Sequence, residues 1–298
     1  MKKKVVLQLT NVAINSTKMV IIVDSGSTKA HWAYYIQDSL HIFETKGMSP
    51  YFVDAEFVFK ELNNSEAKDW KEKVTAIHFY GTGCSHEKMN EKLKTILKDY
   101  FTNVIQIEVK HDMMAACIAL FGSNKGLACI IGTGSNSCVY NGKEITANIP
   151  APGYVLGDEA GGAYLGKSLL RAFIYKKLSP EVMTYLEHEM NLKEVEIYEN
   201  IYSKPQANRY LASFAPVLYR FKSDKSIQEI LQKAFDEFII FHILDYPEYK
   251  ELTIAAVGSV AFYFQEEFDL ALQKYGLKLT HIEKEPIAAL AKFHYGIK

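Results

Sequence analysis

Val20-Ile21-Ile22-Val23-Asp24-Ser25-Gly26-Ser27-Thr28-Lys29 and, about 108 residues further on, Leu127-Ala128-Cys129-Ile130-Ile131-Gly132-Thr133-Gly134-Ser135-Asn136 share one plan: an apolar strand running into a turn of glycine, serine and threonine. Each stretch opens an antiparallel meander. The first continues through strands predicted at 30–36 and 40–45, separated by polar Gln37-Asp38-Ser39. The second continues through strands at 137–140 and 143–147, with Asn141-Gly142 reading as a type I′ turn.

Outward from these turns the halves keep the same order. Apolar periodicity predicts a helix over 55–63, a strand over 74–80, a helix over 87–100, a strand over 104–109 and a helix over 112–121. Gly122-Ser123-Asn124-Lys125-Gly126 reads as a linker. The second half carries a glycine-rich segment from Pro150 to Gly166 and a helical region over about 160–246. It closes on a strand at 252–257, a helix at 261–274, a strand at 277–282 and a helix at 286–294. The pattern is an internal structural duplication.

Two such turns have a chemical use. Glycines admit positive φ and close backbone approach, so successive N–H groups can converge on phosphate oxygens, and hydroxyls add donors. Asp24, at the end of its strand, suits Mg²⁺ held directly or through water. Three competing patterns fail on context. Gly161-Gly162-Ala163-Tyr164-Leu165-Gly166-Lys167-Ser168 spells a P-loop, yet Gly157-Asp158-Glu159-Ala160 precedes it where a buried apolar strand is required. Asp24-Ser25-Gly26-Ser27 resembles an aspartic protease motif, but the second half offers Gly132 in place of the partner carboxylate. Gly81-Thr82-Gly83-Cys84-Ser85 has no identifiable base for a cysteine nucleophile and reads as a connection from strand to helix.

Two acidic positions remain. Asp112 begins a predicted helix, where it either caps the helix or takes a proton from an attacking hydroxyl. Asp158-Glu159 follow a loop rich in glycine and proline, and carboxylates there suit the vicinal hydroxyls of a polyol.

Composition narrows the field. Lys and Arg total 34 against 35 Asp and Glu, which gives no electrostatic reason to expect nucleic acid or an anionic membrane as partner. No apolar run reaches the roughly 18 residues of a bilayer span. Cys84, Cys117, Cys129 and Cys138 lack metal-site spacing and read as reduced thiols of a cytoplasmic protein. Met-Lys-Lys-Lys followed by Val5-Val6-Leu7 opens like a secretory signal, but Gln8, Thr10, Asn11 and Asn15 interrupt it. Residues 1–18 are therefore expected to be an N-terminal extension, with one lobe over 19–121 and a second over 122–298 that contains the helical insert.

Taken in order, these motifs resemble those of the BadF/BadG/BcrA/BcrD ATPase and N-acetylglucosamine kinase group of the actin, sugar kinase and Hsp70 superfamily. Asp24-Ser25-Gly26-Ser27-Thr28-Lys29 and Gly132-Thr133-Gly134-Ser135-Asn136 resemble its two phosphate motifs. Gly153-Tyr154-Val155-Leu156-Gly157-Asp158-Glu159 resembles its sugar-side segment, Val257-Gly258-Ser259-Val260-Ala261 its adenosine motif, and His111-Asp112 the position of its catalytic Asp. The chain departs from the group's pattern at Pro152, His111 and Ser259.

The resemblance implies an α/β fold of two RNase H-like, actin-like ATPase lobes with a duplicated βββαβαβα plan and a cleft between them. It implies ATP and Mg²⁺ as cofactors and a small sugar as partner. Asp112 is then the base. Gly26, Ser27, Thr28, Lys29, Gly132, Thr133, Gly134, Ser135, Gly258 and Ser259 bind the nucleotide, Asp24 the metal, and Asn136, Gly153, Asp158 and Glu159 the sugar. The expected reaction is 6-phosphorylation of N-acetylglucosamine. The alternatives are a glucosamine or other hexose kinase, or a nucleotide-dependent sensor or activating ATPase of the same fold. The 19 tyrosines and 17 phenylalanines fill either a core or the face of a homodimer.

Overall fold

The structure, a computed structural model, describes residues 19–26 and 28–297. The expectations for residues 1–18 and for Ser27 lie outside the described residues. The described chain forms two compact units divided between Lys110 and His111.

In the first unit, strands β1 (Met19–Ser25), β2 (Lys29–Ile36), β3 (Ser39–Lys46), β4 (Val74–Gly81) and β5 (Gln106–His111) form one sheet in the order β3-β2-β1-β4-β5. The β1, β2 and β3 pairings are antiparallel, and β1 pairs with β4 in parallel. Parallel pairing needs a crossover, which α1 (Ala55–Asn63) supplies. Asp54 caps α1 by accepting a hydrogen bond from the Phe57 amide, and Val58 and Leu62 form its buried stripe. Helix α2 (Glu87–Tyr100) buries Leu93, Ile96, Leu97 and Tyr100 at helical spacing. Trp32 lies at the centre of this core, stacked on Phe43 and donating its indole N–H to Thr45 Oγ1 at 2.9 Å.

The second unit repeats the sheet. Strands β6 (Gly126–Ile131), β7 (Ser135–Tyr140), β8 (Ile145–Asn148), β9 (Ile254–Val257) and β10 (Leu279–Glu283) take the order β10-β9-β6-β7-β8. Its β6–β7 and β7–β8 pairs are antiparallel, and its β6–β9 and β9–β10 pairs parallel. Strand for strand, this is the order of the first sheet, so the duplication read from the turns is the architecture.

Helix α3 (Asp112–Phe121) was expected to close the first lobe at residue 121. It falls instead in the second unit, because Met113, Cys117 and Phe121 pack with Ala128, Cys138 and Ala255. The Asn141-Gly142 turn also differs from expectation. A type I′ turn needs positive φ at both central residues, whereas Gly142 has it and Asn141 does not. The connection is a longer loop held by Asn141 Oδ1, which accepts from the amides of Lys143 and Glu144.

The predicted helical region over 160–246 breaks into α4 (Gly162–Ile174), α5 (Pro180–Thr184), α6 (Glu194–Tyr198), α7 (Ala207–Ala212), α8 (Ala215–Arg220) and α9 (Lys225–His242). Asn191 and Gln206 adopt left-handed backbone between these helices, and prolines open α5 and α8. Tyr246 ties the end of the insert to the sheet. Its hydroxyl donates to the Ser137 carbonyl at 2.9 Å and accepts from the Ile149 amide, and burial pushes its pKa to about 12. Helices α10 (Ser259–Tyr263), α11 (Gln265–Gln273) and α12 (Ile287–Tyr295) complete the unit. No helix among the described residues is long and apolar enough to cross a membrane.

Candidate active site

In the first unit, buried Ile21, Ile22 and Val23 anchor β1 and deliver Asp24 to its end, opposite His31 on β2 and beside Tyr80 on β4. Ser25 fastens the turn. Its Oγ accepts from the Met48 amide at 2.9 Å and its carbonyl from the Thr82 amide at 2.9 Å. Thr28 accepts from the Gly47 amide through its carbonyl. Lys29 sends its ammonium 3.0 Å from Glu44 Oε2, so in this structure its charge is spent on β3.

In the second unit, the turn after β6 is three residues long, between paired Ile131 and Ser135. Its carbonyls cap α4: Gly162 N–H donates to Gly132 O at 2.7 Å and Ala163 N–H to Thr133 O at 2.9 Å. Gly161-Gly162 is thus the docked start of a helix rather than a phosphate loop. Lys167 points to the Tyr154 carbonyl at 3.1 Å, which removes the P-loop reading.

Of the two expected uses of glycine in these turns, positive φ does not apply. Gly26, Gly132 and Gly134 do not have positive φ. A Cβ on Gly134 would stand 2.5 Å from the Asp158 carboxylate, and one on Gly132 would meet open space. Proximity to a carboxylate and access to the backbone are what select glycine here. Gly258, by contrast, has φ 124, and a Cβ on it would overlap the Ile131 carbonyl. The adenosine-like motif and the second phosphate-like motif are therefore neighbours in the fold.

Asp158 takes left-handed backbone, accepts a hydrogen bond from the Ser135 amide and sits against Gly134. Burial raises its pKa above the ordinary 3.8, against the pull of that amide, and Glu159 raises it further. Ser135 Oγ is buried with no hydrogen-bond partner among the described residues. Glu159 turns the other way, its Oε2 lying 3.2 Å from His242 Nε2. Asn136 binds the Ser137 amide and Asn148 Nδ2 and so ties β7 to β8. Gly153, at φ 84, shapes the turn that ends at Gly157. The structure thus brings Asp158 to the nucleotide-type turn and leaves Glu159 as a separate carboxylate.

Asp112 opens α3, where the helix dipole favours a negative charge. His111 Nδ1 lies 3.0 Å from Asp112 Oδ1, and this pairing raises the pKa of the imidazole above 6.5. All four cysteines are buried and unbridged; Cys117 and Cys138 bring their sulfurs to 3.2 Å, and their contact, together with burial, raises the Cys117 pKa.

Some neighbours of the site escape a reading of the sequence. Residues 47–53 abut the first turn, and Lys92 of α2 donates to the carbonyls of Pro50 and Val53 at 2.7 Å each. Gly47 followed by Ser49-Pro50 at a strand end was the available signal. His242, one histidine on the buried face of an amphipathic helix more than 80 residues from Glu159, gave none.

A protein of Porphyromonas gingivalis provisionally designated an N-acetylglucosamine kinase superposes on this chain with a TM-score of 0.88 at 33% identity, over 93% of this chain and 99% of that one. The chain belongs to the N-acetylglucosamine kinase family. A Chromobacterium violaceum protein with the same provisional designation shares this kinase fold at 18% identity (TM-score 0.69, 92% of this chain and 98% of that one). A ROK family glucokinase from Streptomyces griseus, solved with glucose and AMPPNP, shares it at 12% identity (TM-score 0.56, 92% and 98%). The fold is that of the actin-like ATPases, and the family is one of sugar kinases. No protein-family model and no curated protein matches the chain.

The residues of the turn after β6 fit a nucleotide. Ser135 Oγ is a buried hydroxyl without a partner among the described residues, Gly132 leaves its backbone approachable, and Gly258 lets its own backbone pack directly on Ile131 and Gly132. Among the described residues no group of three or more His, Cys, Asp or Glu could hold a metal by itself. Mg²⁺ commonly takes only one or two carboxylates and completes its shell with phosphate oxygens and water, so a site for it would need no such group.

Proposed function

We propose that this chain is an ATP-dependent kinase that phosphorylates the 6-hydroxyl of N-acetylglucosamine. The observation that carries the reading is the cluster of Gly132–Ser135, Asp158 and Gly258, a glycine-lined turn with an unpartnered buried hydroxyl. The match to the P. gingivalis protein over nearly all of both chains supports it.

In this reading Gly26, Ser27, Thr28, Lys29, Gly132, Thr133, Gly134 and Ser135 hold the phosphates. Gly258 and Ser259 hold the adenosine. Asp24 holds Mg²⁺, which neutralises charge on the phosphates. Asp112 orients the sugar hydroxyl and takes its proton, which goes from oxygen to carboxylate as the new O–P bond forms and the γ-phosphoryl leaves ADP. Glu159, Asn136 and Gly153 face the sugar. Asp158 spans both tasks, since it fixes the Ser135 amide while its charge lies beside the second turn. Positioning and charge neutralisation supply most of the acceleration in phosphoryl transfer, so loops and one base suffice.

Coupled measurement of ADP release with a panel of sugars tests this. Turnover is expected with N-acetylglucosamine, and phosphorus NMR is expected to place the product's phosphate on oxygen 6. Asp112→Asn is expected to keep nucleotide affinity and lose turnover by about 10²-fold or more. ADP release indifferent to every sugar would overturn the kinase reading, and a fully active Asp112→Asn would overturn the assignment of the base.

A further inference from the structure

We infer that His242 is a positioning residue that holds Glu159 by one oxygen and leaves the other to a donor group of the sugar; this rests on the reading of Glu159 as a sugar ligand. His242 ends α9 and is 2% exposed. Its ring stacks on Phe238, with centroids 5.1 Å apart and planes at 21°, which fixes its tilt. Nε2 lies 3.2 Å from Glu159 Oε2.

Burying a histidine this completely is costly unless its polar atoms are used. Nε2 is used, and Nδ1 has no hydrogen-bond partner among the described residues. A proton on Nδ1 would therefore be a buried, unpaired N–H, so the network assigns the proton to Nε2, where an acceptor faces it. A neutral donor of this kind orients Glu159 without cancelling its charge. A lysine in the same place would neutralise the carboxylate and weaken its pull on a ligand.

Glu159 is restrained from its own side as well. Asp158 and Ala160, its two neighbours, both take left-handed backbone at φ 59, an arrangement that non-glycine residues hold only when the surrounding structure demands it. The flanking backbone sets the direction of the side chain, and His242 sets its rotation. With Oε2 engaged, Oε1 has no protein donor among the described residues. Glu159 keeps 13% side-chain exposure, so it is reachable from outside. An ionised carboxylate oxygen is acceptor only, and its complement is a hydroxyl or amide N–H of a neutral ligand rather than a phosphate. N-acetylglucosamine offers both.

The test compares Glu159→Gln, His242→Phe, His242→Gln and His242→Asn for KM of N-acetylglucosamine, KM of MgATP, kcat, and melting temperature. Phenylalanine keeps the volume and the stacking on Phe238 but removes the donor. Glutamine can place an N–H where Nε2 stands, whereas the amide of asparagine is too short. The expected result is a sugar KM raised about tenfold or more in Glu159→Gln, His242→Phe and His242→Asn, with the KM of MgATP within about twofold of wild type. His242→Gln is expected to recover sugar KM to within about threefold. The double variant Glu159→Gln/His242→Phe is expected to be no worse than Glu159→Gln, because the two act as one unit. An unchanged sugar KM in Glu159→Gln would remove Glu159 from the sugar site, and the proposal with it. A raised sugar KM in Glu159→Gln beside a normal one in both His242→Phe and His242→Asn would overturn the role of His242 alone. If His242→Phe does not fold, the contrast between Gln and Asn carries the test, and equal sugar KM values in those two would count against the proposal.

Discussion

One nitrogen is asked to do two things at His111. Nδ1 is placed to accept from the Met113 amide at 3.2 Å, capping α3, and it also lies 3.0 Å from Asp112 Oδ1. An unprotonated Nδ1 caps the helix, and a protonated one donates to Asp112. The raised pKa of His111, caused first by that hydrogen bond and opposed by burial, favours the second arrangement at low pH. A histidine pKa raised on folding stabilises fully below its unfolded value near 6.5, and that stabilisation fades as pH climbs through the folded value. Wild-type protein is therefore expected to exceed His111→Asn in melting temperature by more at pH 6 than at pH 8.5. A difference flat across that range would refute the pairing. Asp158 gives the opposite kind of case, since its pKa is raised by burial and its charge is held at some cost to stability. Asn in its place keeps an acceptor for the Ser135 amide and tolerates the left-handed backbone. Asp158→Asn is expected to melt no lower than wild type while losing at least about tenfold in kcat/KM, the pattern of a residue retained for chemistry; thermal shift and steady-state kinetics check both halves.

At the scale of elements, α4 shows how a sequence motif can mislead. Gly166 and Lys167, which complete the P-loop spelling, lie inside the helix, and a Cβ on Gly166 would overlap the Leu211 carbonyl of α7. The glycine is there to let two helices touch. Gly166→Ala is expected to destabilise by about 1–3 kcal/mol, as overpacking does, measured by denaturant unfolding. Stability equal to wild type would show that α7 moves aside freely. The same contrast explains which parts of the fold were legible. The helices over 55–63 and 87–100 followed from apolar periodicity and that over 112–121 from a nearly continuous apolar run. The sheets followed from the repeated strand-and-turn order. The insert read as one helical region because breaks at Asn191 and Gln206 depend on backbone angles that these residue types adopt only in context. Of the two reasons expected for the turn glycines, positive φ does not apply at Gly26, Gly132 or Gly134, and close approach does at Gly134, where the Asp158 carboxylate leaves no room for a Cβ. The Glu159–His242 pair was invisible because its partners meet only through the tertiary fold.

At the scale of the whole molecule each of the two units has its own buried core, and the spectroscopic handles are unevenly shared between the units. Trp32 and Trp70, the chain's two tryptophans, both belong to the core of the first unit, while the larger core around α4, α9 and α11 contains none. Tryptophan fluorescence therefore follows the first unit, whereas far-ultraviolet circular dichroism follows both. A ligand that binds only the native state stabilises whatever it touches by RT ln(1 + [L]/Kd), about 2.7 kcal/mol at a concentration a hundred times Kd. Adenosine, whose proposed contacts at Gly258 and Ser259 lie in the second unit, is expected to raise the midpoint seen by circular dichroism more than the one seen by fluorescence. AMPPNP with Mg²⁺ adds the proposed contacts at Asp24 and Gly26 to Lys29, so it is expected to raise the fluorescence midpoint as well. Substituting Asp24→Asn should remove that added shift and leave the adenosine effect intact. If AMPPNP moved the fluorescence midpoint no further than adenosine does, the turn after β1 would not be a phosphate site, and the functional symmetry inferred from the two matching turns would be lost.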